Sequence, residues 1–277
     1  MKILVCLEGS ATSASASAAA IALARESSAE LTGLAIVDVP DIVAGAATGI
    51  GGTSYRKDRD AALLADARAQ AAVWLHDFAA AGHAAGVPVR MLELEGRPAE
   101  MILEELGHHD VAMFGRDVNF RFETQEHDRY TRDRILRRAG KPLIVVPAGA
   151  AITEAPVMMM YDGSAAAIRA LRSFAATGLG GDRELHVATV NDDGADAFEM
   201  ANRGCELLRR EFGVTAVVDH IVSADPVVEA LLARRAKLGA GMIVLGGYVP
   251  SPLARLVWGS VTHGVLEGAS VPVFVHY

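Results

Sequence analysis

Lys2-Ile3-Leu4-Val5-Cys6-Leu7-Glu8-Gly9-Ser10 opens the chain, and Val157-Met158-Met159-Met160-Tyr161-Asp162-Gly163-Ser164 repeats its form in the middle. Each is a short apolar run closed by an acid, a glycine and a serine, after which a helical pattern begins. An apolar run of this length bounded by turn residues reads as a strand buried on both faces, and a serine just before a helical pattern reads as its N-cap. The chain therefore contains two βα junctions of one design.

Further matches follow in the same order along both copies. Gly96-Arg97-Pro98-Ala99-Glu100 parallels Ala224-Asp225-Pro226-Val227-Val228, and Met113-Phe114-Gly115 pairs with Val244-Leu245-Gly246. Lys141-Pro142-Leu143-Ile144-Val145-Val146 pairs with Val271-Pro272-Val273-Phe274-Val275. Ordered self-similarity of this kind argues duplication of a βαβαβαβαβ module. In the first copy the strand candidates are Lys2 to Leu7, Leu31 to Val37, Val89 to Leu94, Val111 to Phe114 and Leu143 to Val146. Helices are expected around Ala14 to Arg25, Asp60 to Ala85, Pro98 to Leu106 and Asp128 to Ala139. Leu64, Ala71, Leu75 and Phe78 mark the buried face of the second of these. In the second copy the strands fall near Val157 to Tyr161, Leu185 to Val190, Ala216 to Val222, Met242 to Leu245 and Val271 to Val275. Met158-Met159-Met160 lies inside a strand and is expected in the core. Strands alternating with helices give an α/β fold with parallel sheets and helices on both faces.

A length of 277 residues fits two domains. The join is placed in the small-residue segment 147–153, which gives units at 1–150 and 151–277. Between Asp41 and Lys57 the first copy carries an insertion with Gly49-Ile50-Gly51-Gly52. It does not follow a strand directly and opens no helix, so it is expected to be a surface loop rather than a dinucleotide fingerprint.

Hydrophobic residues make up 51% of the chain and charged residues 22%, enough apolar material for two cores. The formal net charge of −8 has the wrong sign for gripping nucleic acid through its phosphates. The longest uncharged stretch, Leu238 to Ala254, is broken by glycines, Pro250 and Pro252, so no membrane span is expected. The N-terminal apolar run meets Glu8 too early for a signal peptide, and the expected location is cytoplasmic. Cys6 and Cys205 read as buried reduced thiols. His108-His109-Asp110 are adjacent residues whose side chains diverge, so no metal set is expected there.

In an open parallel sheet, ligands bind beyond the carboxyl ends of the strands where the connections diverge. In the second copy this directs attention to Tyr161-Asp162-Gly163-Ser164 and to Leu245-Gly246-Gly247. The same region contains Gly259-Ser260-Val261-Thr262, which opens the last helix. A Gly-Ser pair at a helix start offers free backbone N–H groups, a hydroxyl and the positive end of the helix dipole, which suit a phosphate. On its own the pair favours the plainer reading, with Gly259 as a turn residue and Ser260 as an N-cap.

These residues resemble the universal stress protein family, whose nucleotide-binding subgroup has the motif Gly, two residues, Gly, nine residues, Gly-Ser or Gly-Thr. Here the positions are Gly246, Val249 and Gly259-Ser260, so valine replaces the middle glycine. The resemblance covers nearly the whole chain as a tandem pair. It implies two Rossmann-like (adenine nucleotide alpha hydrolase-like) units with strand order 3-2-1-4-5, paired through their last strands. It also implies that ATP or another adenine nucleotide is held by Asp162, Val190, Gly246, Gly247, Gly259, Ser260 and Val261. Asp162 stands where the family places an acid near the nucleotide, and Val190 lies near the position whose backbone recognises adenine. Val249 does not take positive φ easily, and Pro250 and Pro252 stiffen the segment.

The first copy departs further. Gly115 matches the first glycine, but 116–126 contains none and the last helix lacks a Gly-Ser opening. Asn119-Phe120-Arg121-Phe122-Glu123-Thr124 stands there instead and is expected to anchor a loop in the vacated pocket. Arg129, Arg132, Arg134, Arg137 and Arg138 interleave with Glu126, Asp128 and Asp133, which reads as a solvated, salt-bridged face. The functional expectation is a stress-response regulatory or sensor protein gated by an adenine nucleotide, without catalytic or metal residues. The alternatives are a weak ATPase or nucleotidyl enzyme and a ligand-free interaction scaffold. A protein partner is left unnamed; the two copies would form a pseudo-dimer within the chain, and a homodimer is compatible.

Overall fold

The computed structural model describes residues 1–44, 53–120, 130–247 and 259–277. The first half runs β1 (Lys2–Leu7), α1 (Ala11–Ser27), β2 (Glu30–Val37), α2 (Val39–Ala44), α3 (Thr53–Ala84), β3 (Val89–Glu95), α4 (Pro98–Leu106), β4 (Val111–Gly115), α5 (Tyr130–Arg138) and β5 (Leu143–Val146). The second runs β6 (Val157–Met160), α6 (Ala165–Thr177), β7 (Leu185–Asn191), α7 (Gly194–Phe212), β8 (Val217–Val222), α8 (Val227–Leu238), β9 (Met242–Gly246), α9 (Gly259–Gly268) and β10 (Val273–His276).

Among the described residues the strands form one ten-stranded sheet in the order β3-β2-β1-β4-β5-β10-β9-β6-β7-β8. Within each half every pairing is parallel, and the halves join where β10 runs antiparallel to β5 with Phe274 opposite Ile144. The last strands thus cover each other's edges, and β3 and β8 are left as the outer strands. Two apolar clusters, one on each face, extend through both halves. Met158 belongs to one and Met159 to the other, as alternation along a strand demands. Both cysteines are buried and free.

The two acid-Gly-Ser junctions share their geometry. The Ser10 and Ser164 hydroxyls accept the N–H groups of Ser13 and Ala167 at 3.1 Å, capping α1 and α6. Gly9 and Gly163 take φ of +78° and +76°, the left-handed turn that leads each strand into its helix.

Two expectations need correction here. The insertion read as a surface loop is helical at both ends, as α2 before it and as an α3 that begins at Thr53 rather than Asp60. That first part of α3 carries charged residues without apolar periodicity, so nothing in the pattern signals a helix there. Gly49, Ile50, Gly51 and Gly52 lie outside the described residues. The basic helix α5 is not solvated throughout, because Arg132 is only 2% exposed. Its guanidinium reaches across to the other half, with Nη2 2.7 Å from Glu267 Oε1 on α9, while Nη1 donates to the Arg116 carbonyl. Arg116 in turn donates to the carbonyls of Glu267 and Ala269 at the end of α9, where the helix leaves its acceptors unpaired. Arg134 pairs with Glu100 on the surface, and Arg129, Glu126 and Asp128 lie outside the described residues.

Candidate functional site

At the carboxyl ends of β6, β7 and β9 the second half contains a cavity of about 610 Å³. It lies beside β6, between β7 on one side and β9 on the other, where a doubly wound sheet parts its connections. Toward β7 and α8 the wall is apolar, with Val190, Val227 and Leu231. Toward β9 it is polar and backbone-rich, with Gly246 and the first turns of two helices: Ser164, Ala166 and Ala167 of α6, Val261 and Thr262 of α9. First-turn N–H groups have no partner inside their own helix, so two positive helix ends meet at one end of this cavity.

Hydrogen bonds hold the rim in place. Asp162 Oδ1 accepts the Ser164 N–H at 2.9 Å, and the exposed carboxylate stands at the mouth. The Thr189 hydroxyl donates to the Tyr161 carbonyl at 2.6 Å, tying the ends of β6 and β7 together. The Thr262 hydroxyl donates to the Gly246 carbonyl at 3.3 Å, setting the start of α9 against the end of β9.

Of the residues read from the sequence, the cavity gathers Asp162, Val190, Gly246 and Val261. Gly259 and Ser260 form the first two positions of α9, just before Val261. Gly247 is not part of the lining. A Cβ there would run into the ring of Tyr277, so this glycine lets β9 and the chain end pack together. Val249, Pro250 and Pro252 lie outside the described residues. Sequence reading missed Met160, Thr189, Val227 and Leu231. Val227 and Leu231, four apart on α8, share one helix face and were the one periodic signal available.

Gly246 has a packing role that the motif does not mention. A Cβ on it would lie 2.5 Å from the Ala166 carbonyl carbon and 2.6 Å from the Ala167 nitrogen. Gly115 shows the same close approach to α1, 2.6 Å from Thr12 C and 2.7 Å from Ser13 N. The glycine persists in both halves because strand and helix backbones touch there.

In the first half the described residues that follow β4 turn apolar side chains inward. Val118 and Phe120 are each 2% exposed and belong to the same core cluster as Cys6, Leu34 and Ile36. The loop-anchoring expectation is met at Phe120; Arg121, Phe122, Glu123 and Thr124 lie outside the described residues. Glu8, the counterpart of Asp162, is largely enclosed. It accepts the Ser10 hydroxyl, and burial pushes its carboxyl up to about 7 against the pull of Ser10 and the Asn119 backbone N–H, with Asp117 adding a like charge. The Oδ1 of Asn119 is buried without a partner among the described residues.

No group of three His, Cys, Asp or Glu among the described residues is arranged to hold a metal. His109 is buried instead in a hydrogen bond to Thr32. No helix among the described residues is long and apolar enough to cross a membrane.

Residues 1–113 and 155–276 match the profile of the universal stress protein family. Universal stress protein Slr1230 from Synechocystis is 31% identical over 173 residues, 62% of this chain and 59% of that protein. The match therefore spans less than two thirds of that curated relative. Among solved structures, a universal stress protein from Archaeoglobus fulgidus DSM 4304 superposes with a TM-score of 0.73 at 21% identity, covering 99% of this chain and 97% of that one. A functionally unknown protein from Pseudomonas aeruginosa PAO1 follows at 0.57 and 13%, covering 99% and 92%.

Proposed function

The chain belongs to the universal stress protein family, and on that premise we propose that its second half binds an adenine nucleotide, ATP in the first instance, as a regulatory module of the stress response. The observation that carries this reading is the two-ended cavity. Its apolar slot at Val190, Val227 and Leu231 suits a flat, weakly polar base, and the helix starts beside Gly246 suit phosphates. Asp162 at the mouth is placed to accept a ribose hydroxyl or to face a phosphate-bound cation. In this reading Val190 receives the base, Gly259, Ser260 and Val261 receive phosphate, and Gly246 keeps the wall thin. Gly247 supports the wall from behind.

We further divide the chain into units at 1–150 and 151–277, only the second of which takes nucleotide, a reading supported by the burial of Val118 and Phe120 after β4 in the first. Calorimetric titration of the full chain with ATP tests this. One saturable site that weakens on Asp162→Ala supports the proposal, and a native mass spectrum showing co-purified nucleotide would name the ligand. Absence of binding would give way to the ligand-free scaffold. A parallel phosphate-release assay separates binding from turnover: steady release would favour the weak ATPase.

A further inference from the structure

A second cavity, about 960 Å³, lies at the opposite end of the sheet in the first half, under the starts of β1, β2 and β3 and beside the turn that precedes β4. Lys2, Arg25, Arg90 and His108 stand on its wall, and the Thr32–His109 pair lies in its lining. The chain has a net charge of −8, yet the side chains of Lys2, Arg25 and Arg90 have no ion-pair or hydrogen-bond partner among the described residues. Cations gathered around one concavity favour an anion between them. The lining also holds Glu105, 3.7 Å from His109 Nδ1, and Glu30, neither paired with these cations, so three cations stand against two carboxylates, while Asp110, just outside the lining, accepts the Lys2 backbone N–H at 2.7 Å.

The floor is built rather than incidental. His109 is 4% exposed, with Nδ1 2.9 Å from the Glu105 carbonyl and Nε2 3.0 Å from Thr32 Oγ1. A carbonyl only accepts, so Nδ1 carries the hydrogen, and in the neutral ring Nε2 accepts the Thr32 hydroxyl. The Lys141 ammonium donates to the carbonyls of Gly107 and His109, fixing the turn that carries both histidines.

Comparison of the two halves shows that the fold does not require this arrangement. Strand register equates Ile3, Leu31 and Val111 with Val157, Leu185 and Met242. Lys2 then corresponds to Pro156 and His109 to Ala240. Pairing of Thr32 with Arg90 and of His186 with Val217 equates Arg90 with Val217. The left-handed helix caps Ser28 and Gly178 equate Arg25 with Ala175. Every cation of the wall meets a neutral residue in the other half, whereas Glu30 corresponds to Glu184.

We infer that this cavity is a separate binding site for a small phosphate-bearing molecule, a monoester or diphosphate whose two or more negative charges engage Lys2, Arg25 and Arg90 above the Thr32–His109 floor. Two guanidinium forks and an ammonium supply more donor charge than one carboxylate uses, and guanidinium matches phosphate oxygens two at a time. The volume leaves room for an organic portion beside Val87 and Pro88.

The test is a titration of the isotope-labelled full chain with pyrophosphate, followed by backbone amide NMR. Saturable shifts at Thr32, Arg90 and His109 are expected, weakened about tenfold or more in the Arg25→Gln/Arg90→Gln double variant. Arg209→Gln/Lys237→Gln makes the same charge change away from the cavity and should leave the affinity as it was. Shifts confined to Gly163 and Val261 would place the anion at the nucleotide cavity and overturn the inference. So would an absence of saturation, or equal losses in the two double variants. Ser260→Ala should not change this titration, so the outcome does not depend on the nucleotide proposal.

Discussion

Replacing Glu8 with glutamine should convert a pH-dependent loss of stability into a pH-independent background. The carboxyl is enclosed beside Ser10 and the Asn119 backbone, and burial raises it from an ordinary 4.5 to about 7. Below pH 4.5 both folded and unfolded chains hold the proton, and the group contributes nothing. Between 4.5 and 7 the unfolded chain releases its proton while the folded chain keeps it, so stability falls as the pH rises. Above 7 both are ionised and the whole penalty is present. At about 1.4 kcal/mol per tenfold change in proton affinity the full penalty is about 3 kcal/mol. Residual solvent access and the part already lost by pH 5 reduce the change between pH 5 and pH 8 to about 2 kcal/mol. Urea unfolding of both proteins at the two pH values measures it through the midpoint at fixed slope. The glutamine variant should gain on the parent by that amount at the higher pH. A gap that stays constant within about 0.5 kcal/mol, or widens toward acid, would refute the assignment of Glu8 as a buried acid.

Other perturbations probe the joint and the cavity. Arg132→Met, Glu267→Gln and the double variant form a cycle across the two halves; with the arginine buried and the glutamate partly exposed, urea unfolding should give a coupling of about 1–2 kcal/mol, between surface and buried pairs. Gly246→Ala should destabilise the ligand-free protein by about 1–3 kcal/mol in a thermal melt, because backbone atoms of α6 cannot retreat from the added methyl; an unchanged melting temperature would contradict the close contact. Val249→Gly, which restores the family's middle glycine, should tighten ATP binding about tenfold by calorimetry, while Ser260→Ala weakens it and Asp162→Ala acts independently. If none of the three changes the affinity, the nucleotide proposal should yield to the scaffold reading.

The fold was legible because its deciding signals are local. Short apolar runs ended by Glu8-Gly9-Ser10 and Asp162-Gly163-Ser164 encode strand, left-handed turn and helix cap within a few residues, and their ordered recurrence gives the duplication. Features that depend on distant partners were hidden. Arg132 sits among acids and arginines that resemble a solvated face, and the Glu267 it reaches lies 135 residues away. The start of α3 was lost for another reason: an exposed charged segment lacks the apolar period from which helices are read. The cavity was half legible. Its turn residues were found by their types, but Met160 and Thr189 are ordinary strand residues whose role comes only from the sheet that brings their ends together.

The glycines show where motif reading stops being informative. Gly115 and Gly246 occupy the first motif position in both halves, and both are required because a Cβ would strike the backbone of the helix after the first strand. Such a glycine survives whether or not the half binds anything, so its presence says nothing about phosphate. What separates the halves is volume and charge nearby. Val118, Phe120 and Glu8 are enclosed in the first half, whereas the second keeps a cavity of about 610 Å³ beside an exposed Asp162. On the proposed reading, the buried side chains that follow β4 are therefore a better guide to the occupancy of the first half than the glycine that ends the strand.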